Sequence, residues 1–148
     1  KVILLEASGK KFNQQTANTL SQEQHLIFIC GHYEGVDSRV SEKIADMSLS
    51  IGDFVLTGGE IPTIAIVDCL VRLIPGVLEK EGATTNESFS NKSTLVEHPQ
   101  YTRPEEYKGM KVPEVLLSGN HKEIEKWKSE SSLNKTITNR PDLSKPTD

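Results

Sequence analysis

The chain has 148 residues, of which 35% are hydrophobic and 26% are charged, and its formal net charge at neutral pH is −4. This length fits one domain, or one domain with a small appendage. No apolar run reaches membrane-spanning length and the first residues lack a signal-peptide pattern, so we expect no membrane partner. The negative net charge argues against a DNA-binding protein or another general polyanion binder, although a local basic patch can still bind RNA.

The two cysteines each lie within an apolar stretch. Cys30 follows Leu26–Ile29, and Cys69 is flanked by Ile66–Val67 and Leu70–Val71. We therefore expect two small, buried, hydrophobic side chains and no disulfide. A chain without disulfides is typical of a cytoplasmic location.

The beginning of the chain has the composition of a strand. Lys1–Leu5 is apolar after its first residue, but it follows no turn and no methionine. A natural chain rarely begins inside a strand, so we expect this sequence to be a fragment whose N-terminal part is missing.

The first half of the sequence predicts alternating strands and helices. Val2–Leu5 and Leu26–Cys30 are continuous apolar runs rich in β-branched residues, which favours strands of a parallel sheet. Asn13–Gln22 between them is compatible with a helix, so the three segments predict a β-α-β unit. Asp37–Met47 predicts a second helix with Asp37 as its N-cap, and Asp53–Leu56 predicts a third short strand.

The strongest predicted helix is Ile61–Leu73, in which Pro62 suits the first turn. This segment has almost no polar face, so we expect it to be buried on all sides. In so small a domain, such burial indicates a subunit interface.

A polar segment, Lys80–Ser93, separates the two halves and predicts a flexible linker. We therefore divide the chain into a first domain at 1–79, a linker at 80–95 and a C-terminal domain at 96–148. In the last part, Asn120 predicts a helix N-cap with Glu123 three residues later, and the tail from Asn139 is expected to fray.

Two glycine-punctuated segments lie close together in the sequence. They are Cys30–Gly35 and Ser50–Glu60. Glycine allows positive φ and a close approach of a ligand to the main chain. The pair predicts one site built mostly from main chain, suited to a small, flat, polar ligand such as an adenine nucleoside.

These two segments, together with Tyr101–Pro104 and Leu116–His121, resemble the bacterial tRNA (guanine-N1)-methyltransferase family, which belongs to the knotted SPOUT class. The resemblance extends from Val2 to about residue 143. It implies an α/β fold with a mostly parallel sheet and a C-terminal trefoil knot, followed by the linker and a small, mainly helical C-terminal domain. It also implies S-adenosylmethionine as methyl donor, a homodimer, and N1 of the guanosine 3′ of the anticodon in tRNA as acceptor.

The chain departs from the family pattern near its start. We expect the family's additional N-terminal segment to be missing from this sequence. In addition, the usual Ser/Thr-Pro-Gln-Gly turn after the first strand is replaced by Glu6-Ala7-Ser8-Gly9, in which only the glycine matches.

The resemblance also assigns roles to individual residues. The predicted donor-binding residues are Leu5, Gly31, Tyr33, Gly35, Ser50, Ile51, Gly52, Phe54, Leu56, Gly58, Gly59 and Pro62.

Three residues are predicted to be catalytic. Glu87 takes the place of the family's aspartate as the base that removes the guanine N1 proton. Arg72 stabilises the negative charge that develops on guanine O6. In the family, the linker that carries the base reaches the partner subunit's donor cleft, so we expect Arg72 and Glu87 to act across the dimer. Glu34 acts near the donor. The alternatives are an ordinary linker charge for Glu87, an ion pair with Asp68 for Arg72 and a surface carboxylate for Glu34.

Tyr101, Arg103, Asn120 and His121 are candidate RNA contacts. The histidines are scattered without zinc-ligand spacing, so we expect no structural metal site, although the resemblance admits a weakly bound Mg²⁺.

Two other functions remain open from the sequence. One is a non-catalytic fragment or module that binds donor or RNA without turnover. The other is a generic nucleotide-binding α/β domain, which is disfavoured because both G-x-x-x-x-G-K-[ST] and G-x-G-x-x-G are missing.

Overall fold

The computed structural model describes residues 1–78, 84–85, 87–90 and 95–144. The chain forms two compact units, Lys1–Glu81 and Gly82–Asp148. Most of the predicted linker at 80–95 lies outside the described residues. None of the helices in the described ranges is long and apolar enough to cross a membrane.

The first unit is a three-stranded parallel sheet with three helices. Strand β1 lies in the middle, in the order β2-β1-β3, and both of its neighbours run parallel to it. The elements are β1 (Val2–Lys11), α1 (Gln14–Leu20), β2 (Ile27–Cys30), α2 (Ser38–Lys43), β3 (Met47–Ser50) and α3 (Glu60–Val71).

The predicted β-α-β unit is confirmed. Helix α1 begins after Asn13, whose side chain accepts a hydrogen bond from the Thr16 amide at 2.9 Å. Asp37 is the N-cap of α2, as predicted, and accepts from the Arg39 amide at 2.9 Å. The Arg39 guanidinium beside Asp37 lowers the pKa of that carboxyl to about 2. These side chains satisfy amides that a helix start leaves without intrahelical partners.

The prediction of a third strand at Asp53–Leu56 is wrong. The third strand is Met47–Ser50, where Leu49 is fully buried against β1. Residues 53–56 instead form exposed bends and irregular chain, with Val55 87% exposed. A short apolar run such as 53–56 resembles a strand in sequence. The strand that pairs with β1 is instead formed by the four residues that precede Ile51.

Strand β1 continues beyond the predicted end at Leu5. Both Leu5 and Lys10 pair with Leu49, so the residues between them form a bulge in an extended strand and not the turn predicted at 6–9. Glycine is required at position 9, because a Cβ there would lie 2.6 Å from the Leu49 main chain.

The core of the first unit lies between α1, α3 and the sheet. Its buried residues are Ile3, Leu5, Ala17, Leu20, Leu49, Ile66 and Leu70. Helix α3 contributes only one face to this core, because Ile61 is 61% exposed and Ile64 is 64% exposed. The prediction that α3 is buried on all sides is therefore wrong for this chain by itself, since α1 and the sheet cover one side only.

The two cysteines are free thiols that are half-buried, which is less than predicted. The Cys30 thiol lies 3.1 Å from the Thr63 hydroxyl. Burial raises the pKa of the Cys69 thiol.

The second unit contains a short hairpin and a long helix. Its elements are β4 (Glu106–Tyr107), β5 (Met110–Lys111), α4 (Glu114–Leu117), α5 (His121–Asn139) and a 3₁₀ turn (Pro141–Ser144). The hairpin turn is formed by Lys108 and Gly109, with φ values of 50° and 80°. Positive φ at both positions is typical of a type I′ turn. The sequence analysis did not predict this hairpin or α4.

Helix α5 begins as predicted and ends at Asn139. The Asn120 side chain accepts a hydrogen bond from the Glu123 amide at 3.5 Å. The chain then continues into the 3₁₀ turn, and the end of the tail predicted to fray, residues 145–148, lies outside the described part.

A buried threonine connects α5 to the segment before the hairpin. Thr136 is fully buried, its hydroxyl donates to the Ser132 carbonyl at 2.8 Å, and the same oxygen accepts from the Val96 amide at 3.0 Å. The Ser132 hydroxyl donates to the Val96 carbonyl at 2.6 Å. Both polar groups of the Val96 main chain are therefore satisfied by side chains of α5.

This connection extends to the predicted catalytic glutamate. The Glu97 amide donates to the Ser88 hydroxyl at 2.9 Å, and Ser88 directly follows Glu87. The Phe89 amide donates to the Leu95 carbonyl at 3.2 Å. The chain around Glu87 is thus attached to α5 through Val96 and Glu97.

We expect Thr136→Val to destabilise the second unit by about 1–3 kcal/mol, because the half-buried Val96 amide loses its acceptor. Unfolding in denaturant can be followed by fluorescence of Trp127, the chain's one tryptophan. Thr138→Val on the exposed surface of the same helix is the matched control, expected to change stability by less than about 0.5 kcal/mol. Equal stabilities for the two variants would contradict this account.

Candidate ligand-binding site

The first unit contains a cavity of about 390 Å³ at the carboxyl ends of the strands. It is bounded by the bulge of β1, the first glycine segment after β2 and the second glycine segment after β3. Ligands of open parallel sheets bind outside the carboxyl ends of the strands, where this cavity lies. Its lining residues are Leu5, Glu6, Ala7, Ser8, Gly31, Glu34, Gly35, Val36, Leu49, Ser50, Ile51, Gly52, Phe54, Val55, Leu56, Thr57, Gly58, Gly59 and Pro62.

All the predicted donor-binding residues except Tyr33 line this cavity. The Tyr33 side chain is fully exposed and its φ is 56°. Tyr33 is therefore not part of the cavity lining in this structure, and its role in donor binding stays a prediction. The structure brings the other residues together, and their contacts with a donor remain a prediction.

Direct hydrogen bonds join the two glycine segments. The Gly59 amide donates to the Gly31 carbonyl at 3.1 Å, and His32 forms an isolated antiparallel bridge with Gly58. The His32 Nε2 atom lies 2.6 Å from Glu60 Oε1, which adds a side-chain bond between the same two segments. This bond holds the pKa of the Glu60 carboxyl below its ordinary value.

The closest approach between the segments is at Gly59, which is buried. A Cβ at this position would lie 2.6 Å from Cys30 Cα and 3.2 Å from the Gly31 nitrogen. No other residue fits there without movement of the main chain. The glycine therefore allows the two walls of the cavity to meet.

Within the described parts of the chain, the cavity lining carries negative charge and no positive charge. Glu6 and Glu34 are the ionisable side chains among the lining residues, which include no Lys, Arg or His. Glu34 was predicted to act near the donor, whereas Glu6, Ala7 and Ser8 were not among the residues predicted to bind it. Their position directly after a buried parallel strand was the available signal for these three residues.

The two remaining predicted catalytic residues lie outside this lining. Arg72 is the C-cap of α3 and is half-buried. Glu87 belongs to the second unit and is also half-buried. Both engage in interactions with other residues. The alternatives, an ion pair with Asp68 for Arg72 and an ordinary linker charge for Glu87, therefore stay open.

The candidate RNA contacts are exposed residues of the second unit. Tyr101 is 47% exposed, and its ring centroid lies 6.2 Å from that of Trp127. Arg103 precedes a cis-proline. Because the Asn120 side-chain oxygen caps α5, its amide group is the part left for another partner, and His121 is the first residue of that helix.

The described parts of the chain contain no group of three or more His, Cys, Asp or Glu residues suited to hold a metal ion.

Comparison with known proteins gives this cavity its context. A family model described as tRNA (Guanine-1)-methyltransferase TrmD matches residues 1–146. The chain belongs to this family. The resemblance identified in the sequence is thereby confirmed.

The chain is similar to several curated members of the family, each named tRNA (guanine-N(1)-)-methyltransferase. It is 55% identical to the Ruminiclostridium cellulolyticum protein over 97% of this chain and 60% of the relative. It is 54% identical to the Bacillus subtilis protein, and 58% identical to the Clostridium beijerinckii protein, in each case over 98% of this chain and 59% of the relative. The chain thus spans about three fifths of the length of the curated relatives that it matches.

We expect Gly59→Ala to destabilise the first unit by about 1–3 kcal/mol, because the new Cβ meets the main chain of Cys30. Gly52→Ala is the matched control in the same cavity wall. Its Cβ would meet only the ring of Phe54, which is 55% exposed and free to turn away. Urea unfolding followed by circular dichroism measures both, and an equal loss of stability would contradict this assignment.

Proposed function

We propose that this chain carries the donor site and part of the tRNA-contacting region of a tRNA (guanine-N1)-methyltransferase. The reaction is transfer of a methyl group from S-adenosylmethionine to N1 of the guanosine 3′ of the anticodon. The observation that supports this most directly is the cavity between two joined glycine segments, in a chain that belongs to this family.

The cavity suits the donor in size and chemistry. A volume of about 390 Å³ lies within the range of small-molecule sites, roughly 300–1,000 Å³. Glycines at Gly31, Gly52 and Gly59 let an adenosine approach main-chain donors and acceptors closely. S-adenosylmethionine supplies an electrophilic methyl group on a positively charged sulfur.

The acceptor requires acid–base chemistry, because guanine N1 carries a proton that must leave. We assign its removal to the Glu87 carboxylate, which takes the place of the family's aspartate. The Arg72 guanidinium stabilises the negative charge that develops on guanine O6. Carboxylates suit Mg²⁺, so those of Glu6 and Glu34 are the groups in the cavity to which a weakly bound ion would attach.

We further propose a cytoplasmic homodimer with the trefoil-knotted backbone of the SPOUT class. The exposed apolar side of α3 supports dimerisation, since it includes Ile61, Ile64 and Val71. Apolar side chains that project from a helix in this number are typical of an interface. In such a dimer, Arg72 of one subunit and Glu87 of the partner act on the same acceptor.

A second candidate function is donor binding without turnover. The chain spans about 60% of its relatives' length, and a glutamate stands where the family has an aspartate. The extra methylene changes the reach of the base, and a displacement of about 1 Å can cost about a hundredfold in rate.

Binding and transfer measurements separate these candidates. We expect calorimetry to show binding of S-adenosylmethionine in preference to ATP and NAD. We expect radiolabelled methyl transfer to tRNA with guanosine 3′ of the anticodon. Glu87→Gln should reduce transfer by about a hundredfold or more and leave donor affinity unchanged.

Glu130→Gln, on the exposed surface of α5, is the matched control and should keep full transfer. Donor binding without transfer in the parent chain would favour the second candidate. A preference for ATP or NAD would overturn both.

A further inference from the structure

The acidic cavity wall contains a carboxylate that has no partner among the residues that the structure describes. Glu6 lines the cavity from the bulge of β1 and is half-buried. No hydrogen bond or ion pair of its side chain occurs within the described residues. The charge of this carboxylate is therefore available to a ligand.

The second carboxylate of the lining comes from a different element. Glu34 belongs to the first glycine segment, whereas Glu6 belongs to β1, and no lining residue is a cation. Two negative charges in one concave space raise the local affinity for cations. They attract a sulfonium but not a neutral thioether sulfur.

The proposed reaction changes the charge of the bound nucleoside. The bond between the methyl carbon and sulfur breaks, and its electron pair stays on sulfur. A bond forms between the methyl carbon and guanine N1, while the N1 proton passes to Glu87. The donor enters as a sulfonium cation and leaves as a thioether that is neutral at sulfur.

We propose that Glu6 is a specificity-determining residue that makes the cavity prefer the positively charged methyl donor over its demethylated product. This inference rests on the proposed function. Glu6 lies in the segment that departs from the family's usual Ser/Thr-Pro-Gln-Gly turn, a pattern that contains no carboxylate. The preference for the positively charged donor favours replacement of the bound product by a new donor molecule after each transfer.

Calorimetry with S-adenosylmethionine and S-adenosylhomocysteine tests the proposal, since the two ligands differ by the methyl group and the charge on sulfur. We expect Glu6→Gln to weaken binding of the donor by about threefold to tenfold and to change binding of the product by less than about twofold. Glu6→Asp keeps the charge and should retain most of the parent's preference.

Glu42→Gln is the matched control, because it removes one carboxylate from an exposed position on α2 and changes the net charge equally. It should leave both affinities unchanged. Circular dichroism of each variant verifies that the fold is retained.

The outcomes separate this inference from the proposed function. Equal weakening of donor and product in Glu6→Gln, no change in either, or the same shift in Glu42→Gln would overturn the role of Glu6 while leaving the methyltransferase proposal intact. Failure of the parent chain to bind either adenosine compound would overturn the proposed function and this inference with it.

Discussion

The close contact between the two glycine segments determines the form of the candidate site. One amide–carbonyl hydrogen bond from Gly59 to Gly31 and the His32–Gly58 bridge bring together parts of the chain that follow different strands. The approach is so tight that a single methyl group at position 59 would collide with Cys30. Without this contact, the residues after β2 and β3 would be separate loops, and the concave main-chain surface between them would be lost.

The charges of the protein divide between its two units in a way that suits the proposed chemistry. The cavity of the first unit presents the carboxylates of Glu6 and Glu34, which in the proposed function attract a cationic donor. The proposed base, Glu87, belongs to the second unit, where Ser88 and Glu97 attach the surrounding chain to α5. In the proposed function, binding of the donor and removal of the acceptor proton therefore depend on separate local structures.

Sequence periodicity predicted the elements whose side chains contact their sequence neighbours. The β-α-β unit and the caps at Asp37 and Asn120 are local features of this kind, and the structure confirms them. The predictions of a strand at 53–56 and of a turn at 6–9 were wrong, because both depend on long-range strand pairing. Leu49 pairs with Leu5 and with Lys10 of β1, and the local sequence does not reveal this pairing. The glycine patterns indicated a main-chain site, and Glu6 joins it from the bulge of β1, directly after the buried part of that strand.

The attachment of Val96 to α5 has a consequence for the order in which the second unit forms. The hydrogen bond from Val96 to Thr136 joins positions 40 residues apart, whereas every backbone bond within α5 is local. Closure of so long a loop costs chain entropy before any contact compensates for it. We therefore expect α5 to form before the segment at Val96 that it anchors.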